Sequence, residues 1–250
     1  MKSSFVQVNT SKIHYLTAGG GMTLVLLPSL WVTSESYIFL GSELSKNFKV
    51  IIPDIYRGES VFDKNTKNID DYVESLYDFI KALSIDKFYL VGISFSGLVA
   101  TQYAFQHAKS INRLFLVSTT AVPLLIKNKK LILIFGYAKL LYHNMFSGDG
   151  IKTNLLWLND SIKNLIRHPK QVIYEGFLAT SNYDDNITDM KVPTKLIFAK
   201  KDEFIPTETL TETLIKMKKI TNLEVEVVDH YHAWFFRHED ELAKRVVDFF

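Results

Sequence analysis

The segment Tyr89-Leu90-Val91-Gly92-Ile93-Ser94-Phe95-Ser96-Gly97 runs an apolar strand pattern into a serine flanked by small residues, and a helical pattern follows directly. In so tight a strand–turn–helix, the positions two before and two after the serine must be small, or side chains collide where helix meets strand. The turn holds the serine up at the carboxyl edge of a sheet, where sites of α/β proteins lie. The helix start offers backbone N–H groups and a positive dipole end to a developing oxyanion. Ser96 stands where the G-x-S-x-G pattern has glycine, so the motif reads G-x-S-x-S-G, a mild departure. The competing reading of Ser94 is a helix N-cap, but a cap requires neither Gly92 nor a buried strand before it.

A serine hydroxyl needs a base, and imidazole fits because it titrates near neutrality. Of the seven histidines, His230 and His232 follow the last strand pattern, in Val227-Val228-Asp229-His230-Tyr231-His232. His232 lies at the better distance before the polar helix start Glu239-Asp240-Glu241 and is the expected base, with His230 its competitor. A metal set of His230, His232 and His238 lacks a carboxylate-rich partner cluster, so neither metal nor cofactor is expected. The base in turn needs an acceptor to fix its tautomer. Lys200-Lys201-Asp202-Glu203-Phe204-Ile205-Pro206, after an apolar strand, offers Asp202 or Glu203, and Asp202 is preferred for its spacing to Pro206. The loop after Ser118 holds Thr119, Thr120 and Ala121 and no carboxylate.

Composition narrows the chemistry further. There is no cysteine among the 250 residues, which excludes a disulfide scaffold, thiolate metal sites and a cysteine nucleophile. A net charge of +2 argues against a nucleic-acid binder. The longest apolar run outside the sheet pattern, Leu131 to Ala138, falls short of the ~20 residues a membrane span needs. A cytoplasmic protein is expected. From Leu124 to Lys170 eight basic residues (Lys127, Lys129, Lys130, Lys139, Lys152, Lys163, Arg167 and Lys170) face only Asp149 and Asp160. This is either the solvated face of amphipathic helices or a docking face for an anionic partner or membrane surface.

Eight strand candidates could position these groups: Phe5–Val8, Ile13–Leu16, Thr23–Leu27, Val50–Pro53, Phe88–Val91, Arg113–Ser118, Thr194–Ala199 and Leu223–Val228. From the third onward most are short apolar runs, as in strands buried on both faces of a parallel sheet. Helical patterns at Asp70–Leu83, Phe95–His107, Thr207–Met217 and Glu239–Phe250 alternate with them, arguing for right-handed βαβ units. The two leading strands, with no helix between, predict an antiparallel start. About 75 residues of helical character separate the sixth and seventh strands, too long for a bare loop. The expected organisation is an α/β core domain of residues 1–121 and 191–250 carrying a helical cap, residues 122–190.

Ser94, Asp202 and His232 thus occur in the order serine, acid, histidine, the acid after the seventh strand and the histidine after the eighth. With the cap insertion, this resembles the α/β-hydrolase superfamily. Asp54-Ile55-Tyr56-Arg57-Gly58-Glu59-Ser60 is similar to that family's loop after the fourth strand, and Val192-Pro193-Thr194 to its entry into the seventh. The spacing resembles the esterase branch that contains pimeloyl-carrier-protein methyl ester esterases and ring-cleavage C–C hydrolases. The resemblance implies an oxyanion hole made by the backbone N–H groups of Leu30 and Phe95. It disfavours a haloalkane dehalogenase, which would carry an aspartate at the position of Ser94. The family's His-Gly after the third strand is replaced by Pro28-Ser29. Serine resists backbone angles that glycine tolerates, so this loop is where activity could fail.

The expected activity is hydrolysis of a carboxylic ester or thioester through an acyl-enzyme on Ser94. Trp31, Phe95, Leu124, Leu125, Phe135, Tyr142, Phe146, Trp157, Phe177 and Trp234 are candidates to line an apolar acyl pocket. The alternatives are an ester carried by an acidic acyl carrier protein docked on the basic cap, C–C bond hydrolysis, and a non-catalytic receptor or scaffold on the same fold.

Overall fold

The computed structural model describes residues 1–63, 66–120, 135–136, 138–143, 150–179, 190–205, 207–217 and 222–250. Eight strands form one sheet: β1 (Lys2–Val8), β2 (Ser11–Ala18), β3 (Thr23–Leu27), β4 (Lys49–Pro53), β5 (Phe88–Ile93), β6 (Ile111–Val117), β7 (Thr194–Ala199) and β8 (Leu223–Val228). Their spatial order is β1-β2-β4-β3-β5-β6-β7-β8. β1 and β2 pair antiparallel, as does β2 with β4, and every pair from β4–β3 to β7–β8 is parallel. The central strands read as unbroken apolar runs because both their faces are covered.

Helices α1 (Ile38–Leu44), α2 (Ile69–Ala82), α3 (Phe95–Gln106), α4 (Gly150–Arg167), α5 (Pro169–Leu178), α6 (Thr207–Met217) and α7 (Glu239–Phe249) complete the fold. Residues 138–143 are also helical. On one face, Leu76, Phe79 and Ile80 of α2 and Leu98, Val99 and Tyr103 of α3 pack with Val25, Leu90 and Leu114 of the sheet. On the other, Leu40 and Leu44 of α1 and Leu242 and Val246 of α7 pack with Leu24, Val91 and Phe115. A capping box fixes the start of α2: the Asn68 side chain accepts from the Asp71 N–H, and the Asp71 side chain accepts from the Asn68 N–H.

α1 and the short 3-10 turn before it, Ser34–Tyr37, were not anticipated from the sequence. The stretch is too short for a helical period to stand out. Its residues are fixed instead by side chains from elsewhere. Asp54 accepts from the Ser34 N–H at 2.6 Å, and Asp160 of α4 accepts from the Thr33 N–H and hydroxyl at 2.8 and 2.7 Å. None of the helices among the described residues is long and apolar enough to cross a membrane.

Candidate active site

β5 ends at Ile93 and α3 begins at Phe95, so Ser94 alone makes the turn, with φ 53° and ψ −122°. A non-glycine residue there costs about 1–3 kcal/mol and persists only where its surroundings hold it. Two hydrogen bonds do so: the Ser94 N–H donates to Val117 O and the Gly97 N–H to Ser94 O, each at 2.9 Å. The Ser94 side chain makes no capping bond, which removes the N-cap reading. A Cβ on Gly92 would stand 2.6 Å from that of Ala100 and 2.8 Å from Gly97 Cα, so only glycine lets α3 pack against β5.

Ser96 turns its departure from glycine into a tie. Its buried hydroxyl lies 2.7 Å from Leu27 O and 3.0 Å from the Ile93 N–H. The turn at Ser94 is thereby joined to the end of β3, where the Pro28–Val32 loop begins.

Ser94 Oγ lies 2.9 Å from His232 Nε2, and His232 Nδ1 lies 2.7 Å from Asp202 Oδ2. The other Asp202 oxygen accepts the Phe204 and Ile205 N–H groups at 2.8 and 2.9 Å, which fixes the carboxylate as acceptor. Nδ1 therefore carries the ring proton, and the Nε2 lone pair faces the serine hydroxyl. Glu203, the competing acid, touches the backbone of the same histidine: it accepts the His232 N–H at 2.9 Å and pairs with His143 Nδ1 at 2.9 Å. Ser118 Oγ donates to His232 O at 3.0 Å. Burial works against a charged imidazole at position 232, but the charge and hydrogen bond of Asp202, backed by Glu203, outweigh it. The pKa is raised above the ordinary histidine value of 6.5.

His230 points away from this chain. It stacks on Trp234 and reaches Glu241 at 3.2 Å, with His238 3.8 Å from the same carboxylate oxygen. These three side chains could hold a metal ion. The second Glu241 oxygen accepts from Arg245 at 2.8 Å, which ties the group into an ion-pair network along α7.

The Pro28–Val32 loop is held from behind by Arg57. The guanidinium Nη1 donates to Pro28 O and Ser29 O at 2.8 Å and to Val32 O at 3.3 Å, while Nε pairs with Glu175 of α5 at 2.9 Å. Both charged side chains are buried. Tyr72 donates to the same Glu175 oxygen at 2.7 Å. The strain feared at Ser29 is absent: left-handed φ falls on Trp31 (67°) instead, and Tyr37 bonds the Ser29 N–H and hydroxyl. These buried charges escaped the sequence reading because Arg57 and Glu175 lie 118 residues apart.

Ser94 and His232 open into a cavity of about 100 Å³, walled by Leu30, Val32, Phe95, Leu98, Leu140, Trp157, Phe204, Ile205, Phe235 and Phe236. Of the candidate pocket residues, Phe95 and Trp157 line it. Phe135, Tyr142 and Phe177 do not, being 60%, 62% and 51% exposed on outward faces. Trp234 is buried beneath His230, in the core. Trp31 is drawn off by α5: its indole donates to Val172 O at 2.8 Å and packs against Gly176. Leu124, Leu125 and Phe146 lie outside the described residues. Phe235 and Phe236, three and four residues past His232, were the lining residues its loop should have suggested.

The sheet order, the turn at Ser94 and the acid and histidine after β7 and β8 define an α/β hydrolase, and comparison with known proteins agrees. The profile of the alpha/beta hydrolase fold family matches residues 22–194, and the chain belongs to that family. A soluble epoxide hydrolase of Corynebacterium sp. is 33% identical over 129 residues, covering 48% of this chain and 42% of the other. A 2-hydroxy-6-oxo-6-phenylhexa-2,4-dienoate hydrolase of Burkholderia cepacia is 23% identical over 99% of this chain and 96% of its own. The first curated relatives, uncharacterized mycobacterial proteins, are matched over only 35% of their length. Among solved structures, the enol-lactonase of Burkholderia xenovorans superposes with a TM-score of 0.75 at 21% identity, over 98% of this chain and 99% of the other.

Proposed function

We propose that this chain is a serine hydrolase that cleaves a carboxylic ester or thioester with an apolar acyl part. The observation that carries the reading is the unbroken hydrogen-bond chain Ser94–His232–Asp202 opening into an apolar cavity. His232 takes the hydroxyl proton as Ser94 attacks the carbonyl carbon, and Asp202 stabilises the imidazolium that forms. The N–H groups of Leu30 and Phe95, neither of which donates to a protein acceptor among the described residues, receive the oxyanion. His232 then protonates the leaving alcohol or thiol, activates water, and the acyl-enzyme is hydrolysed.

Hydrolysis of p-nitrophenyl acyl esters of graded length, with serine labelling by a fluorophosphonate, tests the proposal. Wild-type turnover and labelling that vanish in Ser94→Ala support it; full turnover in that variant refutes it. The full-length likeness to the Burkholderia cepacia dienoate hydrolase favours C–C bond hydrolysis as a second reading, so a dienoate substrate belongs in the same panel. A carrier-protein-linked ester is a weaker third. Two of its proposed docking cations, Lys163 and Arg167, face Glu35 and Glu59 of the same chain, and Lys127, Lys129 and Lys130 lie outside the described residues.

A further inference from the structure

A peptide group in the trans form points its C=O and its N–H in opposite directions, and the described chain contains no cis peptide. The peptide between residues 29 and 30 therefore couples two observations. Its carbonyl, Ser29 O, accepts from Arg57 Nη1 at 2.8 Å, so its N–H, that of Leu30, points away from the guanidinium. Leu30 lines the cavity that holds Ser94, whereas Arg57 lies behind the loop. Turning this peptide over would break the Arg57 bond and aim a carbonyl oxygen, in place of a donor, at the developing oxyanion.

We propose that Arg57 and Glu175 are positioning residues that lock the Ser29–Leu30 peptide in the orientation the oxyanion hole needs. The proposal rests on the serine hydrolase reading and deepens it. One guanidinium nitrogen gathers the carbonyls of Pro28, Ser29 and Val32, and three carbonyls brought to one cation cannot turn over independently. Glu175 and Tyr72 hold the guanidinium in turn: Glu175 Oε1 takes both Arg57 Nε and the Tyr72 hydroxyl. The second Glu175 oxygen accepts the Trp31 N–H at 3.3 Å, so the carboxylate grips the loop directly as well.

The origin of Glu175 matters. It sits on α5, between β6 and β7 in sequence, while the hole lies at the ends of β3 and β5. Nearby on α4, Asn164 donates to Trp31 O at 3.3 Å and accepts the Gly58 N–H at 2.9 Å, and Asp160 binds Thr33 and Ser36. The helices over the site thus brace the loop beneath them, and the hole is assembled only with α5 seated.

The test compares wild type, Arg57→Lys, Glu175→Gln and Tyr72→Phe. Readouts are kcat and KM for a p-nitrophenyl ester, inhibition by an alkylboronic acid that mimics the tetrahedral oxyanion, and thermal melting. Lysine cannot reach three carbonyls and Glu175 together. Arg57→Lys is expected to lower kcat about 10²-fold, as loss of one oxyanion donor does. KM should change less than threefold, and boronate inhibition should weaken in step with kcat. Glu175→Gln and Tyr72→Phe should show the same split in smaller measure. A purely structural role predicts lower melting temperatures with kcat of the folded fraction and boronate affinity intact, and that result overturns the proposal. If Arg57→Lys does not fold, Glu175→Gln and Tyr72→Phe decide by the same split. A wild type that neither labels with fluorophosphonate nor turns over ester overturns the hydrolase reading itself; labelling with unchanged variants overturns the clamp alone.

Discussion

The protein contains a second Ser–His–Asp chain with the spacing of the first. Ser3 Oγ lies 2.9 Å from His14 Nε2, and His14 Nδ1 lies 2.7 Å from Asp54 Oδ2, against 2.9 and 2.7 Å for Ser94, His232 and Asp202. Both aspartates also accept backbone N–H groups, and both histidines are buried. What differs is the serine. Ser3 is an exposed residue of edge strand β1, paired in regular register with Leu16. Ser94 is lifted out of regular geometry at the start of a helix, over an apolar cavity. Hydrogen-bond geometry alone does not make a nucleophile; the proposed role of Ser94 rests as well on its turn and on the amides of Leu30 and Phe95 beside the apolar cavity. The second chain is a brace, joining His14 of β2 through Asp54 to the turn at Ser34.

The comparison breaks first at the serines. Ser94→Ala should cut kcat/KM by roughly 10³- to 10⁶-fold, the range seen when a serine nucleophile is removed, and abolish fluorophosphonate labelling. Ser3→Ala should leave both within twofold of wild type. Peptide mapping of the labelled protein checks this directly, and label on Ser3 would erase the distinction.

The acids should separate the two chains by kind of effect. Asp202→Asn, which leaves the fold in place and upsets the histidine tautomer, should lower kcat about 10⁴-fold with little change in melting temperature. Asp54→Asn leaves buried His14 without its carboxylate, a loss of order 3 kcal/mol. In a chain of this size that corresponds to a fall of roughly 6–12 °C in melting temperature. Turnover per folded molecule should hold. Calorimetry with kinetics on both variants decides; a rate loss in Asp54→Asn without destabilisation would give the second chain a catalytic part.

How much of this was legible in the sequence follows the reach of each interaction. The central strands were readable because burial on both faces leaves unbroken apolar runs, and the turn at Ser94 because steric crowding dictates Gly92 locally. Asp202 and His232 were found because each follows a strand end that the parallel order brings to the same edge as Ser94. The braces were not legible: Arg57 with Glu175, Thr33 with Asp160 and His14 with Asp54 join residues 118, 127 and 40 apart with no local period. Of the aromatic residues of the inserted segment, Trp157 was read correctly, but Phe135, Tyr142 and Phe177 misled because composition does not say which way a helix faces. Phe177 points outward while its neighbours Gly176 and Leu178 are buried.

The smallest effect is one in which activity and stability respond to pH in opposite senses. In His14 and in His232, burial lowers the pKa but the aspartate's charge and hydrogen bond outweigh it, and both are raised above 6.5. Catalysis needs neutral His232, so kcat/KM should rise with pH through a value above 6.5, reaching its plateau only once that proton is lost. Stability runs the other way. A histidine whose pKa is higher folded than unfolded contributes stability that is complete below the unfolded value of ~6.5 and fades as pH rises through the folded one. Both histidines contribute to that decline, so wild type should lose a little stability over the same interval in which it gains activity. His14→Gln removes one contribution and leaves the other. Its stability should fall less steeply between pH 6 and 9, while the acidic limb of kcat/KM stays where it was. Denaturant titrations paired with pH–rate profiles measure both curves. A limb that moves with His14→Gln would mean that the two chains are electrostatically coupled across the sheet, and that the brace tunes the base.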